Sequence, residues 1–402
     1  MSEQEVLHKT ENLLLNSVSR QMISDVPLGA FLSGGIDSSL IVSLMQKVHS
    51  NTQTFNVGFD FDDFDESYYA KQIASHLGTQ HTSYTCTKED AFNLIPNLTE
   101  TFSEPFADSS QIPTMLVSKM AREKVTVALS GDAGDELFGG YNRYLLANKY
   151  WKYINFLPQK LRTSLISLIS YLPYKQSLYL LSLTPFFKDL SGSIEERLNK
   201  IIKKSYSITD KSSYYHSMTT EWSADSGIME KNYFLETDRF NKLFSDDSKL
   251  SFEEAMMHAD FVTYLPDDIL CKVDRSSMHF SLETRAPYLS KDLIEFAYSL
   301  PLQYKIRNGV SKWVLKEILS NYVPEHLFLR PKQGFGLPIS KWMRQDLKDW
   351  TNDLLSESVL RKHGLFNESL VASAKEEHFK GLNNEHKLWS IAQFNQWYLS
   401  NY

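Results

Sequence analysis

The fold of this chain is decided by the stretch Leu28-Gly-Ala-Phe-Leu-Ser-Gly-Gly-Ile-Asp-Ser-Ser39. A short apolar run over 28–32 is typical of a buried strand, and it ends at a Ser-Gly-Gly turn. Apolar residues then recur at helical spacing over 36–48, which predicts a helix just past the turn. Glycines let a backbone turn sharply, and the N–H groups at a helix N-terminus attract anions. The stretch therefore predicts a pyrophosphate-binding turn between a strand and a helix.

Asp37 lies inside this turn, where its negative charge would repel a phosphate. It suits Mg²⁺ instead, a hard cation that prefers oxygen ligands. The turn lacks the Gly-Lys-Ser/Thr ending of a Walker motif, so simple transfer of a γ-phosphate is not predicted. A serine that only caps the helix is the structural alternative, but five fixed residues between a strand and a helix favour the binding interpretation.

A second turn of the same kind follows an apolar run over 125–129. It has the sequence Ser130-Gly-Asp-Ala-Gly-Asp-Glu-Leu-Phe-Gly-Gly-Tyr141. Acidic residues at the start of a single helix are ordinary partners of the helix dipole. Two such turns at the ends of neighbouring strands predict more. Asp37 and Asp135 can then share one metal ion, and Asp132 can face the reacting centre.

Strand and helical patterns alternate over the first 150 residues, with further strands around Val57 and over 81–85 and a helix over 65–77. The alternation predicts an α/β fold, a parallel twisted sheet with helices on both faces, whose ligands bind beyond the carboxyl ends of the strands. From about Leu145 helical patterns dominate. The predicted parts are an N-terminal helix over 1–24, a nucleotide-binding α/β core over 25–150, a variable helical insert over 151–250, a helical substrate and catalytic part over 251–345 and a helical tail over 346–402.

Composition excludes several classes of protein. The 402 residues include 42 basic and 49 acidic ones, so the net charge of −7 argues against a nucleic-acid partner. No run approaches the roughly 18 apolar residues of a membrane span. Cys86 and Cys271 are too far apart in sequence to suggest a disulfide framework, and they fit a reducing compartment. With a polar first segment that does not resemble a signal peptide, these features predict a cytoplasmic protein.

The two turns resemble a known family. Residues 33–39 are similar to the pyrophosphate loop of the ATP pyrophosphatases, and the longer stretch 25–39 is similar to the synthetase half of B-type asparagine synthetases. Further stretches resemble the same family, and they cover 130–141, 265–278, 281–288 and 330–336. The matches extend from about residue 10 to about residue 345.

This resemblance implies that the chain adenylates a carboxylate with ATP, releases pyrophosphate and lets an amine displace AMP. The implied substrates are aspartate and ammonia. Leu32 and Val57 would hold the adenine through their backbones. The residues implied in ATP binding are Leu32, Ser33, Gly34, Gly35, Asp37, Ser38, Val57, Ser130 and Gly131.

The resemblance also implies a metal site and two catalytic residues. Asp37 and Asp135 would bind Mg²⁺, and Asp132, where many relatives have glutamate, would form and use the β-aspartyl adenylate. Lys312 in Asn308-Gly-Val-Ser-Lys-Trp313 matches a lysine of the family. Attack of a carboxylate on phosphorus brings two anions together, so fixed cations are needed. A solvated surface lysine is the alternative for Lys312.

Four charged residues in an otherwise apolar stretch, Asp274, Arg275, Glu283 and Arg285, have two interpretations. They could line the pocket for aspartate, whose ammonium and carboxylates need ionic partners. They could equally form a structural ion-pair network. Both interpretations stay open. Gly334 and Gly336 lie where a loop could close over the site and exclude water from the adenylate.

Members of the family begin with Met-Cys and a glutaminase domain of roughly 200 residues. Here the second residue is Ser2 and the first helix leads into the synthetase motif. We therefore expect the nitrogen to come from free ammonia or from a separate glutaminase subunit. Two alternatives remain. The same chemistry could act on a sugar, peptide or secondary-metabolite carboxylate, or the chain could be a nucleotide-binding regulatory protein with decayed catalysis.

Overall fold

The computed structural model describes most of the chain, in two compact units. The described residues are 1–59, 67–156, 158–170, 176, 207–223, 226–230, 242–245, 248–330 and 337–402. The first unit comprises Met1–Glu104, Asp108–Asn142 and Met257–Leu337, and the second comprises Pro105–Ala107, Arg143–Met256 and Pro338–Tyr402. Within the described residues, no helix has both the length and the apolar character that crossing a membrane requires.

The first unit contains a five-stranded sheet in which every neighbouring pair of strands is parallel. The strands are β1 (Leu28–Phe31), β2 (Gln53–Phe59), β3 (Gln80–Cys86), β4 (Val127–Leu129) and β5 (Glu283–Arg285). Their spatial order is β3-β2-β1-β4-β5. The predicted parallel α/β sheet is confirmed, and the first four strands lie where the sequence predicts them. The short edge strand β5 was not predicted.

The strand order reverses between β1 and β4. The chain runs outward from β1 through β2 to β3, and then returns to form β4 on the other side of β1. Crossovers between parallel strands are right-handed, so the helices before and after this reversal cover opposite faces of the sheet. Loops that leave the carboxyl ends of β1 and β4 diverge there and open a crevice. Both predicted binding turns begin at this point.

Helices of the first unit follow from local sequence signals. Ser2 caps the first helix in a reciprocal box with Glu5, since each backbone N–H donates to the other side chain, at 2.7 and 3.3 Å. The α-helices are Glu3–Gln21, Ile36–Val48, Ser67–Leu77, Lys88–Leu94, Leu98–Thr101, Gln111–Arg122, Gly134–Phe138, Cys271–His279, Lys291–Ser299, Trp313–Leu319 and Glu325–Phe328. Three 3₁₀ turns cover Ile95–Asn97, Pro287–Leu289 and Leu302–Tyr304, and a π-helix covers Leu265–Leu270.

The core of the first unit lies between the sheet and its helices. The helix Ile36–Val48 buries most of its length, and fully buried Leu40 and Leu44 join the cluster around β1. Phe138 and Tyr288 are also fully buried, with ring centroids 6.2 Å apart. Burial of this much apolar surface fixes the strand ends that carry the two turns.

Described residues of the second unit are mainly helical. Its helices are Gln159–Ser170, Lys211–Thr219, Ile339–Arg344, Lys348–Leu354, Glu357–His363, Glu368–Phe379 and Glu385–Asn401. The helices Asn142–Ile154 and Phe252–Val262 contain points at which the chain passes from one unit to the other. Aromatic side chains hold this unit together, for example Trp350 and Trp389 with ring centroids 5.4 Å apart. The domain boundaries drawn from the sequence stay a prediction.

Candidate active site

The turn after β1 is closed by its own serines. The Ser33 N–H donates to the Ser38 hydroxyl at 3.2 Å, and the two hydroxyls lie 3.0 Å apart. Gly34 has φ +75°, and a Cβ there would lie 2.9 Å from the Ala70 nitrogen. Only glycine tolerates both this backbone conformation and this close approach. The result is a compact turn whose N–H groups lie at the N-terminus of the helix Ile36–Val48.

The turn after β4 packs directly against the first turn. A Cβ on Gly131 would lie 2.8 Å from the Ser38 nitrogen, and a Cβ on Gly134 would collide with the Asp37 carboxylate. Between these glycines, Ala133 adopts a left-handed conformation with φ 73°, which an L-residue rarely does. The backbone of this turn therefore contacts Asp37 so closely that positions 131 and 134 have no room for a side chain.

Lys312 joins the two turns. Its ammonium contacts the Asp37 carboxylate and lies 2.6 Å from a carboxylate oxygen of Asp135. The residue is 4% exposed and has φ 53° at the start of the helix Trp313–Leu319. Burial alone would lower the pKa of Lys312, but Asp135 and Asp37 outweigh it and raise the pKa well above its ordinary value. A Cβ on Gly140 would collide with both Asp135 and Lys312, so glycine is required there too.

A cavity of about 640 Å³ opens beside these groups, within the first unit. Every residue that the sequence implies in ATP binding, Mg²⁺ binding or catalysis lines it. They are Leu32, Ser33, Gly34, Gly35, Asp37, Ser38, Val57, Ser130, Gly131, Asp132, Asp135 and Lys312. The residues implied by the sequence motifs and by the family resemblance therefore lie together in one cavity.

A second group of charges was not found from the sequence, and one of its members, Lys272, lines the same cavity. Lys272 Nζ lies 2.5 Å from an Asp108 carboxylate oxygen and 3.8 Å from one of Asp268. Burial alone would raise the pKa of Asp108, but Lys272 lowers it below its ordinary value. Burial and the charge of Asp108 raise the pKa of Asp268. Lys272 also lines the cavity, as Asp132 does, and burial raises the pKa of Asp132.

One signal could have pointed to this group. Asp268 and Lys272 are four residues apart, and Asp268 lies in the π-helix Leu265–Leu270, which contains Pro266. Such π-helical turns are rare and are frequent at functional sites. Asp108, however, is 164 residues away from Lys272 in the chain, and no local spacing predicts that contact.

Glu136, which is buried, and Tyr141, which is half-buried, form a further pair on the wall of the cavity. The Tyr141 hydroxyl donates to a Glu136 carboxylate oxygen at 2.5 Å. Burial, together with the negative charge of Asp135, raises the pKa of Glu136 to about 7. Burial and Glu136 also raise the pKa of Tyr141. The pair thus places a carboxyl group that titrates near neutrality beside the Asp37, Asp135 and Lys312 cluster.

The four charged residues assigned to substrate binding do not line this cavity. Asp274 and Arg275 pair with each other at 3.5 Å, and their side chains are 59% and 52% exposed. Arg285 pairs with Glu283 at 2.6 Å and donates to the Gln21 carbonyl at 2.6 Å. The location of these four residues gives no support to a substrate-binding role and favours the structural ion-pair interpretation. The predicted loop with Gly334 and Gly336 lies outside the described residues.

The donor set fits Mg²⁺. Carboxylates of Asp37 and Asp135 both reach one positively charged atom, the Lys312 nitrogen, so their oxygens are close enough to share an ion. The described part of the chain contains no group of three or more His, Cys, Asp or Glu side chains arranged to hold a metal. Mg²⁺ commonly takes one or two protein carboxylates and completes its coordination with water and substrate phosphates.

Comparison with known proteins gives consistent matches. The sequence matches the asparagine synthase family over residues 9–399. It is similar to the glutamine-hydrolysing asparagine synthetase 1 of Bacillus subtilis, 33% identical over 99% of this chain and 60% of that relative. A putative asparagine synthetase of Mycobacterium tuberculosis is 30% identical over 96% of this chain and 56% of the relative. Another, from Methanocaldococcus jannaschii, is 37% identical over 69% and 50%. The chain therefore spans between half and three-fifths of these relatives' lengths.

Proposed function

Because this chain belongs to the asparagine synthase family, we propose that it is an ATP-dependent ligase that forms a carbon–nitrogen bond on a carboxylate through an acyl-adenylate. The observation that supports the proposal most is the meeting of the two turns and Lys312 in one cavity. A turn of N–H groups suits a pyrophosphate, and a buried lysine suits the charge that develops when a carboxylate attacks phosphorus. Aspartate is the favoured carboxylate.

Binding of ATP would use the length of the cavity. Leu32 and Val57 lie at the carboxyl ends of β1 and β2, where their backbones would hold the adenine. The turn from Ser33 to Ser38 would hold the pyrophosphate portion, and Ser130 with Gly131 would lie along the nucleotide. Asp37 and Asp135 would hold Mg²⁺, which when bound supplies positive charge to the phosphate oxygens.

The first chemical step would join the carboxylate to the α-phosphorus. A carboxylate oxygen forms the new bond, the bond from the α-phosphorus to the bridging oxygen breaks, and that oxygen leaves with pyrophosphate. Lys312 would stabilise the negative charge on the α-phosphate. In the second step ammonia attacks the acyl carbon, AMP leaves with its oxygen, and the nitrogen loses a proton. Asp132 would accept that proton as a general base.

Charges at the Lys272 side of the cavity support an amino-acid substrate. Lys272 would face a carboxylate, and Asp132 would face an ammonium group. This arrangement would suit aspartate better than an uncharged acid. The expected cytoplasmic location also belongs to this proposal, and it agrees with Cys86 and Cys271 forming no disulfide.

Ammonia is the proposed nitrogen source, either free or supplied by a separate glutaminase subunit. Neither cysteine of this chain suits the attack on glutamine that the family's glutaminase cysteine performs. Cys86 is fully buried and donates to the Thr87 carbonyl at 3.1 Å. Burial raises the pKa of Cys271, which disfavours its thiolate.

The decisive experiment measures pyrophosphate release from Mg-ATP with a panel of carboxylates. Aspartate and an ammonium salt should together give asparagine, AMP and pyrophosphate, whereas glutamine in place of ammonium should give no glutamate. Release with another carboxylate alone would keep the chemistry and change the substrate. ATP binding without release for any carboxylate would overturn the proposal and favour the regulatory alternative.

A further inference from the structure

Three lysines line the cavity, and they differ in how their charges are balanced. Lys312 is paired with Asp37 and Asp135, and Lys272 is paired with Asp108 and lies near Asp268. Lys316 also lines the cavity, but its side chain has no hydrogen-bonded or ion-paired partner among the described residues. Lys316 is therefore the cavity lysine whose charge is not already balanced by a described carboxylate.

Lys316 is held in place by the helix Trp313–Leu319. Its backbone N–H donates to the Lys312 carbonyl at 3.0 Å, one helical turn earlier. Residues four apart lie on the same face of a helix, so the two lysines follow one another along the cavity wall. This helix packs against the helix Ile36–Val48, whose N-terminus carries the turn from Ser33 to Ser38. Lys312, one turn earlier, contacts Asp37 within that turn, and Lys316 lines the same cavity.

The positive charge of a half-buried lysine is unfavourable unless an anion lies next to it. Lys316 is half-buried, and both burial and the positive charge of Lys312 lower its pKa. Desolvation of an ammonium without a partner disfavours the charged form. An anion with several charges would remove this cost, and a polyphosphate is such an anion.

The negative charges in the part of the cavity that would hold the ATP phosphates also require a further cation. ATP brings several negative charges to a site that already holds the carboxylates of Asp37 and Asp135. Mg²⁺ would offset part of this excess, and Lys312 is shared between those two carboxylates. A compact ammonium with three donors on a flexible stem suits phosphate oxygens.

We propose that Lys316 binds the β- and γ-phosphates of ATP and then the pyrophosphate that leaves. This inference rests on the proposed function, since it assigns a further residue to the same nucleotide site. Lys316 would act on binding of the pyrophosphate portion, whereas Lys312 would act at the α-phosphate.

Isothermal titration calorimetry with inorganic pyrophosphate in the presence of Mg²⁺ tests the assignment on the full chain. Lys316→Met removes the charge and keeps a side chain of similar length. It should raise the dissociation constant for pyrophosphate about tenfold to hundredfold, as expected for loss of a hydrogen bond to a charged group. AMP, which lacks the pyrophosphate portion, should bind as to the wild type and show that the variant is folded.

Two further variants complete the design. Lys316→Arg keeps the charge and should retain most of the pyrophosphate affinity, despite its different geometry. Lys291→Met removes an 84% exposed lysine elsewhere in the same unit and should change neither affinity. Equal pyrophosphate affinity of Lys316→Met and the wild type would overturn this inference alone. A wild type that binds neither ATP nor pyrophosphate would overturn the proposed function and this inference with it.

Discussion

Lys312 Nζ lies 2.6 Å from a carboxylate oxygen of Asp135, and the same ammonium contacts Asp37. The two aspartates come from turns after different strands, and the lysine begins a helix that follows much later in the chain. One buried cation therefore fixes the distance between the two turns. The same contact brings together the groups proposed to bind the metal and to act on the α-phosphate.

Removal of that cation should affect both stability and chemistry. Lys312→Met leaves Asp37 and Asp135 facing each other without a positive charge. We expect the free energy of unfolding to fall by about 3–5 kcal/mol, as is typical when one partner of a buried pair is removed. Urea unfolding measures this loss. Exchange of labelled pyrophosphate into ATP should also disappear, because adenylation would lack the cation at the α-phosphate.

A double variant separates the two effects. Lys312→Met combined with Asp135→Asn removes one of the two repelling charges, so part of the lost stability should return. Exchange should stay absent. If Lys312→Met unfolds at the same urea concentration as the wild type, the ion pair with Asp37 and Asp135 does not form in solution.

Asp37→Asn tests the proposed metal ligand. Lys312 keeps its contact with Asp135, so the free energy of unfolding should change little. Loss of one charge next to the departing pyrophosphate should lower turnover by about a hundredfold, or roughly 3 kcal/mol. Asp292→Asn is a suitable control, because Asp292 is a 60% exposed aspartate paired with Arg20 on the surface. Near-normal turnover of Asp37→Asn would remove Asp37 from the metal site.

The sheet could be predicted because three of its first four strands are apolar or alternating runs followed by a turn or a helical pattern, and the other, β3, is rich in threonine and follows a helical pattern. Strand β5 was missed because Glu283 and Arg285 make up two of its three residues. So short and so charged an edge strand has no hydrophobic alternation to detect. Its partner is β4, and only the fold reveals that pairing.

Some residues of the candidate site could likewise be predicted from the sequence, and others could not. Asp37 and Asp135 were predicted from local turns, because their distance follows from two strands being neighbours. Lys312 was found through a family resemblance, since its own surroundings in the sequence do not mark it. Lys272 and Asp108 were missed because their contact spans 164 residues, and local spacing carries no information about it.

Arg285→Met tests the structural interpretation of the residues outside the cavity. The Arg285 guanidinium donates to the Gln21 and Ile23 carbonyls at 2.6 and 2.8 Å, at the C-terminus of the helix Glu3–Gln21. Losing these charge-assisted bonds should lower the free energy of unfolding by about 2 kcal/mol. The KM for the carboxylate substrate should not change. A large increase in that KM at unchanged stability would instead return Arg285 to the substrate site.

Glu136 should make stability depend on pH. Its pKa is about 7 in the folded chain against an ordinary 4.5, so unfolding releases a proton between these values. The stability that the protonated carboxyl contributes is fully present below pH 4.5 and is lost as the pH rises through 7. Glu136→Gln cannot titrate. Its free energy of unfolding should therefore rise relative to the wild type over this window, by up to about 3 kcal/mol.

Urea unfolding of both proteins from pH 4 to pH 8 measures this difference, and the comparison cancels other titrating groups such as Asp268. A difference that stays constant with pH would show that Glu136 keeps an ordinary pKa. Tyr141→Phe is a useful companion variant, because it removes the hydroxyl that donates to Glu136 at 2.5 Å. This bond lowers the pKa, so its loss should raise the pKa of Glu136 and extend the window to higher pH.

The two proposed catalytic residues should fail in different half-reactions. Adenylation needs cations around the phosphorus, whereas attack by ammonia needs a base that takes a proton from nitrogen. Lys312→Ala should therefore abolish exchange of pyrophosphate into ATP. Asp132→Ala should retain some exchange but form amide about a hundredfold more slowly or worse, which matches the usual contribution of a general base.

The pH dependence gives a second, independent test of Asp132. Burial raises the pKa of this carboxyl, so its ionised form is lost at a higher pH than for an ordinary aspartate. In the wild type, amide formation should fall as the pH falls through that raised pKa, while exchange should not follow the same curve. Asp132→Asn should lose this acid limb of the amide profile along with most of the rate. Equal loss of exchange in the Lys312 and Asp132 variants would show that Asp132 also acts in adenylation, and the division of roles would then be wrong.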